Sequence, residues 1–382
     1  MIKLVHVISG LNTGGAEMML YKLLSVWDRD RDRIEVISLT DVGAIGDRIR
    51  DLNVSVRALG MRRGRLGITK LFRLGRWLLQ SSPDVVQTWM YHADLVGGLA
   101  AKFSGGFPVV WGIRNSTLGQ QTRKSTFLTV KLCARLSRWL PTKIVSCSVV
   151  SRGIHERMGY NPEKMLVIPN GFDLSSFKPN DEARFSVRNE LNLSQDAVLI
   201  GFVARFDPQK DHKNFIAATR RVVARHDRVH FVLCGEGVDD TNPHLSRWIQ
   251  ECGVIGRFHL LGRRDDVVRV TASLDIATCP SAYGEAFPNV VGEAMATGVP
   301  CVVTDVGDSA FIVGDTGQVV PPRQPEMLAE ALNWMIELGA EGRTELGAKA
   351  RRRIQENFDL SVVRDRYAAL YREVVGDGMY PG

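Results

Sequence analysis

The sequence has no apolar run long enough to cross a bilayer, although 45% of its 382 residues are hydrophobic. Its opening stretch, MIKLVHVISG, is too short and wrongly flanked for a signal peptide. The six cysteines include no CxxC pair, which argues against zinc sites and disulfide frameworks. We therefore expect a cytoplasmic protein whose cysteines are small buried residues.

Two functional fingerprints are also missing. The first glycine-rich turn is GLNTGGAE, which lacks the GxGxxG pattern that a nicotinamide oxidoreductase or a nucleotide-sugar epimerase needs. The basic residues are not interleaved with any recognisable nucleic-acid-binding module. We therefore predict no nucleic-acid partner.

The charge is unevenly distributed along the chain. The formal net charge is +7, but residues 1–175 hold 25 Lys and Arg against 13 Asp and Glu, whereas the remainder is mildly acidic. This asymmetry predicts that the first half meets an anionic partner, although charge alone does not distinguish a phosphorylated substrate, anionic lipid or nucleic acid.

Hydrophobic periodicity predicts two successive arrays of alternating strands and helices. The first strand, a glycine turn and a helical pattern at Ala16–Trp27 are typical of the opening of a doubly wound α/β domain. We predict a first domain over residues 1–175 and a second over 190–358, with a linker between about Asn170 and Ser194. Ligands of such sheets bind at the carboxyl ends of the strands, so we expect the two Rossmann-like domains to face each other across a cleft.

The stretch SAYGEAFPNVVGEAMATGVPCVVT, from Ser281 to Thr304, is the most informative segment. Pro288 suits the first turn of a helix, so Glu285 would lie in the loop before this helix and Glu293 on it. The free N–H groups of a helix start can bind phosphate, and carboxylates can bind hydroxyls. A phosphorylated, polyhydroxylated ligand fits this pattern.

Basic residues follow strands of the same half. Arg205 and Lys210 lie at a strand end and in the next loop, where they can supply the fork donor and the point charge that a diphosphate needs. Gly235 could admit a base or ribose, and Arg263 could reach a phosphate or base, although a plain turn explains each of them as well.

Candidates in the first half also follow strands. Gly14 and Gly15 begin a helix and could let a phosphate approach the backbone closely, or could form only a tight turn. His92 lies in a loop at the expected cleft, where a lone histidine is more often structural than catalytic. Arg114, with Asn115 beside it, could bind an anion or form a salt bridge.

A basic and apolar helical pattern covers residues 122–140. Together with an arginine-rich segment it predicts a surface that faces an anionic membrane, although a core helix with a charged outer face has the same pattern. The basic residues of this predicted surface are Arg62, Arg63, Arg65, Arg123, Lys124, Lys131, Arg135 and Arg138.

With these motifs the chain resembles family 4 of the retaining glycosyltransferases, which have the glycosyltransferase-B fold. The similarity covers nearly the whole chain. It is carried by GGAE, TWMYHADLVGGLAA, VVWGIRNS, PNGFD, RFDPQKDHKNF, YGEAFPNVVGEAMATGVPCVVTDVG and GDTGQVVPPRQPEMLAEAL.

The resemblance implies roles for the matching residues. Glu293 would hold the ribose hydroxyls of a UDP- or GDP-sugar, Arg205 and Lys210 would grip its diphosphate, and Gly15 would lie near the phosphate. Glu285 would contact the transferred sugar together with a neighbouring donor-binding segment. That segment comprises Ala286, Phe287, Pro288, Asn289 and Val290.

The resemblance also implies a front-face substitution that retains the anomeric configuration, with no metal or other cofactor. The final helix, 361–375, would cross back onto the first domain. Many relatives carry a histidine where this chain has Arg114-Asn115, which leaves His92 as the nearby histidine. We therefore predict that His92, Arg114 and Asn115 bind the acceptor, and that His92 acts in catalysis together with Glu285, Arg205 and Lys210.

Two functions of different classes remain as predictions. The first is a glycosyltransferase with a saccharide or lipid-linked acceptor, acting in cell-surface polysaccharide or glycolipid synthesis at the inner face of the membrane. The alternative is a nucleotide-sugar-binding protein without transfer activity, or an epimerase.

Overall fold

The computed structural model describes residues 1–61, 67–116 and 124–378, and it separates the chain into two compact units. The first unit comprises residues 1–171 together with the C-terminal segment from Leu360, and the second comprises residues 172–359. The side chains of residues 377 and 378 are not described. Of the basic residues predicted to face a membrane, Arg62, Arg63, Arg65 and Arg123 lie outside the described residues.

The first unit is built on a parallel sheet in the order β3-β2-β1-β4-β5-β6-β7. Its strands are β1 Lys3–Ile8, β2 Arg33–Ser38, β3 Ser55–Ala58, β4 Val85–Trp89, β5 Val109–Ile113, β6 Lys143–Ser146 and β7 Met165–Val167. Its helices are α1 Gly15–Ser25, α2 Gly43–Arg50, α3 Ile68–Ser81, α4 Tyr91–Ser104, α5 Lys124–Leu136, α6 Val149–Arg157 and, from the end of the chain, α15 Leu360–Gly378.

The sheet of the first unit is buried on both faces. Along β1, Leu4 and Ile8 belong to one apolar cluster, whereas Val5 and Val7 belong to another. This alternation is the two-residue period of a strand that has a core on each side. Helix α15 completes the first cluster with Tyr371, whose hydroxyl donates a 3.1 Å hydrogen bond to Gln87 Oε1.

The second unit repeats this architecture with a parallel sheet in the order β10-β9-β8-β11-β12-β13. Its strands are β8 Val198–Val203, β9 Val229–Cys234, β10 Phe258–Leu260, β11 Ile276–Cys279, β12 Cys301–Thr304 and β13 Gly317–Val320. Its helices are α7 Asp181–Glu190, α8 His212–Val223, α9 Pro243–Cys252, α10 Val267–Ala272, α11 Asn289–Ala296, α12 Ser309–Val313, α13 Pro325–Glu337 and α14 Gly339–Asn357. The prediction of two Rossmann-like α/β domains is confirmed.

The segment expected to be a linker contains a packed helix. Asn180 caps α7 by accepting a 3.0 Å hydrogen bond from the amide of Ala183. Arg188, on the buried side of α7, forms a 2.6 Å ion pair with Asp275, which directly precedes β11. The prediction of a linker over residues 170–194 was therefore too long, because most of this segment belongs to the second unit.

Candidate active site

The carboxyl end of the second sheet brings a lysine and a glutamate into contact. Lys210 ends a 3-10 turn, Pro208–Lys210, shortly after β8, and Glu285 lies in the loop between β11 and α11. Lys210 Nζ donates a 2.5 Å charge-assisted hydrogen bond to Glu285 Oε1. Their side chains are only 16% and 8% exposed, so the pair is shielded from solvent and its attraction is stronger than at an open surface.

A buried serine, which the sequence analysis did not select, fixes the orientation of Glu285. Ser281 Oγ donates a 2.6 Å hydrogen bond to the same Oε1 atom that Lys210 contacts. The backbone of Ser281 is in turn tied to β12, because Thr304 Oγ1 donates a 2.6 Å hydrogen bond to its carbonyl. The sequence feature that could have identified Ser281 is its position two residues beyond a buried strand and four residues before Glu285.

Helix α11 begins four residues after Glu285, and Pro288, which was predicted in its first turn, lies just before that turn. Pro288 is its N-cap, so the helix starts at Asn289 and its first amide groups are at the same sheet edge as Glu285. Glu293 is the fifth helical residue, and with Val290 it lines a small cavity above β8 and β11. The segment thus combines two carboxylates with a helix start, which can bind hydroxyls and an anionic group.

Arg205 lies near the end of β8 but is bonded to its own loop. Its side chain is 61% exposed, and Nε and Nη2 donate to Asp207 Oδ2 at 3.1 and 3.0 Å. Burial favours the protonated form of Asp207, but hydrogen bonds from the Gln209 amide and Arg205 outweigh it and lower the pKa of this carboxyl. Diphosphate binding by Arg205 stays a prediction, and Arg205 would have to exchange its two hydrogen bonds to Asp207 for bonds to the ligand.

The other predicted donor-binding residues of this unit differ in their surroundings. Gly235 allows close packing of two loops, because a side-chain carbon there would lie 2.0 Å from the carbonyl oxygen of Ala204. Arg263 is exposed. Its neighbour Arg264 forms ion pairs with Asp266 and Glu190 at 2.7 and 2.6 Å, which join the loop to α7.

The first unit presents its own glycine turn at the start of α1. Gly14 is the N-cap, and the side chain of Glu17 folds back over it, so that an added carbon at Gly14 would lie 2.3 Å from Glu17 Oε2. Burial raises the pKa of Glu17, partly offset by a hydrogen bond from its own amide. An added side-chain carbon at Gly15 would meet nothing within 4 Å. Of the two glycines, Gly15 is the one open to a ligand.

His92, which was predicted to lie in a loop, is the second residue of α4 and lies two positions after a strained residue. Met90, the N-cap, has φ 71° and ψ 155°, a conformation that is rare for residues other than glycine and is concentrated at functional sites. Burial lowers the pKa of His92 below its usual value, which favours the neutral imidazole.

A buried carboxyl fixes the start of α4 on the sheet. Asp94 Oδ1 accepts hydrogen bonds from Thr88 Oγ1 at 2.5 Å and from the Gly112 amide at 3.1 Å. Burial raises the pKa of Asp94 to about 7, although these hydrogen bonds and the charge of Arg114 oppose the rise. The position of His92 therefore depends on contacts to both β4 and β5.

Arg114 makes extensive contacts within the first unit. Its guanidinium lies 4.3 Å from the centre of the Trp89 ring and donates to Tyr367 Oη and, at 3.0 Å, to Asn170 Oδ1. Asn115 is exposed, and its backbone carbonyl accepts a 2.6 Å hydrogen bond from Ser151. Acceptor binding by Arg114 and Asn115 stays a prediction, and Arg114 would have to exchange these partners to bind an anion.

Within the described ranges, no group of three His, Cys, Asp or Glu side chains is placed to hold a metal ion. Nor does the described part of the chain contain a helix with the length and apolarity needed to pass through a membrane.

The two units, each built on a parallel sheet covered by helices, are typical of the glycosyltransferase-B fold. The charged pair and the start of α11 lie at the ends of strands in the second unit. The HepE protein of Anabaena, solved in complex with UDP, aligns with a TM-score of 0.85 at 21% identity over 97% of this chain and 100% of that one. The fold predicted from the sequence is therefore confirmed.

Family models match both halves of the chain. The model described as Glycosyltransferase Family 4 matches residues 13–176, and that described as Glycosyl transferases group 1 matches residues 197–337. The chain belongs to the family 4 glycosyltransferases.

The chain is also similar in sequence to two glycosyltransferases whose names state a substrate. The phosphatidyl-myo-inositol mannosyltransferase of Mycolicibacterium smegmatis is 28% identical over 324 residues, covering 82% of this chain and 78% of the relative. The UDP-Gal:α-D-GlcNAc-diphosphoundecaprenol α-1,3-galactosyltransferase of Escherichia coli is 27% identical over 247 residues, which are 64% of this chain and 63% of that enzyme.

Proposed function

We propose that this glycosyltransferase moves a sugar from a UDP- or GDP-sugar to a lipid-linked or saccharide acceptor, with retention of the anomeric configuration and without a metal ion. The observation that carries the donor assignment is the shielded contact of Lys210 with Glu285 beside the start of α11. The proposed acceptor class is supported by the names of the two relatives, which refer to a phosphatidylinositol and to a diphosphoundecaprenol.

In the proposed reaction, the bond between the anomeric carbon and the diphosphate oxygen breaks while the acceptor oxygen attacks from the same face. The acceptor proton passes to the leaving phosphate, so no protein nucleophile is required. Negative charge accumulates on the diphosphate, where Lys210, Arg205 and the amide groups at the start of α11 would bind it more tightly than in the ground state. Glu285 and Glu293 would bind hydroxyls of the sugar and ribose.

The direct test is a transfer assay with Lys210→Ala and Glu285→Ala. Matched controls are Arg221→Ala and Glu326→Ala, because these residues form an ion pair in the same unit with both side chains 57% exposed. We expect turnover to fall at least about 100-fold in the first pair, the loss typical of removing a group that stabilises transition-state charge. Undiminished turnover of Lys210→Ala and Glu285→Ala would refute the proposed role of this pair in sugar transfer.

The donor class is tested by thermal stabilisation with UDP, GDP and ADP, followed by a panel of sugars on the nucleotide that stabilises most. Stabilisation by a nucleotide without transfer to any saccharide or lipid-linked acceptor would favour the alternative, a nucleotide-sugar-binding protein.

We also propose that the enzyme works at an anionic membrane surface through α5. Lys131, Arg135 and Arg138 border a groove of about 610 Å³ whose lining includes Leu128 and Leu132. These two leucines are 68% and 41% exposed. Across the described residues, no ion pair joins any of the three cations to a carboxylate.

The sequence around α5 supports the same surface. Residues 95–155 contain nine Lys and Arg and no Asp or Glu. Cations next to exposed leucines can bind anionic lipid headgroups while the leucines enter the interface.

Sedimentation with vesicles of phosphatidylglycerol and phosphatidylcholine tests this surface. Reversal of Lys131, Arg135 and Arg138 to Glu should release the protein from anionic vesicles. The control variant replaces Arg221, Arg228 and Arg247, three exposed arginines of the second unit, by Glu. It should bind anionic vesicles as the wild type does. Equal sedimentation of the two triple variants would contradict the assignment of α5.

A further inference from the structure

Two buried phenylalanines lie where the chain enters and leaves the second unit. Phe172 is the first residue of this unit, and Phe358 is the residue before its last. The Phe172 amide donates a 2.9 Å hydrogen bond to the carbonyl of Phe358, and Phe172 forms an isolated parallel bridge with Asp359. The segment by which the chain enters the second unit is therefore hydrogen-bonded to the segment by which it leaves.

Both rings pack on Phe287, which lies in the loop between Glu285 and α11. The centres of the Phe172 and Phe287 rings are 6.1 Å apart with an angle of 22° between planes, and those of Phe287 and Phe358 are 5.7 Å apart. All three side chains are at most 5% exposed. We call these three residues the phenylalanine cluster. The side chain of Phe287 is thus packed inside the second unit, so Phe287 could contact a donor only through its backbone.

Phe172 also contacts the helix that carries Glu293. An added side-chain carbon at Gly292 would lie 2.0 Å from Cζ of the Phe172 ring, so the ring occupies the space that a side chain at Gly292 would fill. Since Glu293 is the next residue, Phe172 supports both the loop before α11 and the part of α11 that presents this carboxylate.

We propose that Phe172 and Phe358 are positioning residues for donor binding, which act through Phe287 to hold residues 286–289 and the start of α11 in place. The inference rests on the proposed donor-binding function of this segment. Its physical basis is that binding groups must be held to within about 0.5 Å by the packing behind them. Leucine in place of either phenylalanine would leave a void and let the loop shift without removing any group that touches the donor.

The test compares Phe172→Leu and Phe358→Leu with Phe231→Leu. Phe231 is an equally buried phenylalanine of β9, packed on Phe215 and Phe258 in a separate part of the same unit. All three variants should lose similar thermal stability. Only the first two should bind UDP or GDP more weakly by calorimetry, by about tenfold, which corresponds to about 1.4 kcal/mol.

A second measurement covers the case in which one variant folds poorly. Hydrogen exchange of the backbone amides of Ala286, Phe287 and Asn289 should be faster in Phe358→Leu than in the wild type and unchanged in Phe231→Leu. Nucleotide affinity and exchange that match those of Phe231→Leu would overturn the inference while leaving the proposed function intact. Failure of the wild type to bind UDP or GDP would overturn both.

Discussion

The contact between Lys210 and Glu285 should affect stability and catalysis in different ways, and a double-mutant cycle can separate the two. Replacing Lys210 by Met removes the cation that neutralises a carboxylate with only 8% exposure, while Glu285 keeps the hydrogen bond from Ser281. Breaking a buried pair from one side typically costs about 3–5 kcal/mol, and the remaining serine should reduce this to about 2–3 kcal/mol. For a unit of this size, that loss lowers the melting temperature by roughly 4–12 °C, at about 2–4 °C per kcal/mol.

The double variant, Lys210→Met with Glu285→Gln, should be more stable than the sum of the single effects indicates, because neither charge is left uncompensated. We expect a coupling energy of about 1–3 kcal/mol from the four melting temperatures. Transfer activity should not recover, since both groups are proposed to act on the donor. Additive stability effects would show that the pair is not coupled, and recovered transfer in the double variant would refute its catalytic role.

Three further predictions concern neighbouring groups. Ser281→Ala should lower turnover at least about tenfold, because a hydrogen bond to a charged group contributes about 1.5–3 kcal/mol, whereas Ser281→Thr should retain part of the activity. Burial lowers the pKa of His6 to about 3, and burial with the charge of Lys210 lowers that of His212 to about 4, so the unfolded chain binds more protons at acid pH. Stability should therefore be complete above about pH 6.5 and fall towards pH 4, and His212→Phe should flatten a melting-temperature series over this range. Addition of EDTA should leave transfer unchanged, whereas restoration of lost activity by Mg²⁺ or Mn²⁺ would contradict a metal-independent reaction.

Much of the fold could be predicted from the sequence because most strands of both sheets are buried on two faces. Such strands are continuous apolar runs that stand out between polar helices and glycine turns. Two strands that the hydrophobic pattern does not reveal, β3 and β13, are four residues long and lie at sheet edges, where one neighbouring strand is absent and the apolar pattern is weak. Helix α7 was missed because its buried face includes Arg188, whose partner Asp275 lies 87 residues away.

The candidate site was only partly predictable for a related reason. Spacing placed Glu285 before a helix and Glu293 on it, since both positions depend on local features such as Pro288. The partners that fix Glu285 come from other strands, namely Lys210 after β8 and Thr304 in β12 acting through Ser281. A one-dimensional pattern does not contain these contacts, which arise only when parallel strands place their carboxyl ends side by side.

The turn after β12 shows how far the geometry of Glu285 depends on residues distant in sequence. Gly307 has φ 62°, and an added side-chain carbon would lie 2.4 Å from the carbonyl oxygen of Glu285. Gly298 has a similar φ of 77°, but there the nearest atom is 3.4 Å away, on Pro179. Alanine at either position should therefore carry the backbone strain of about 1 kcal/mol, and only Gly307→Ala should also displace Glu285.

We expect Gly298→Ala to lower the melting temperature with little effect on turnover per folded enzyme. Gly307→Ala should lower turnover at least about tenfold, since a misplacement of about 1 Å at a reacting centre can cost about 100-fold in rate. Equal turnover of the two variants would mean that the position of Glu285 is set within its own loop. A selective loss in Gly307→Ala would show that the loop between β11 and α11 takes its shape from its neighbours, and that its sequence alone does not determine it.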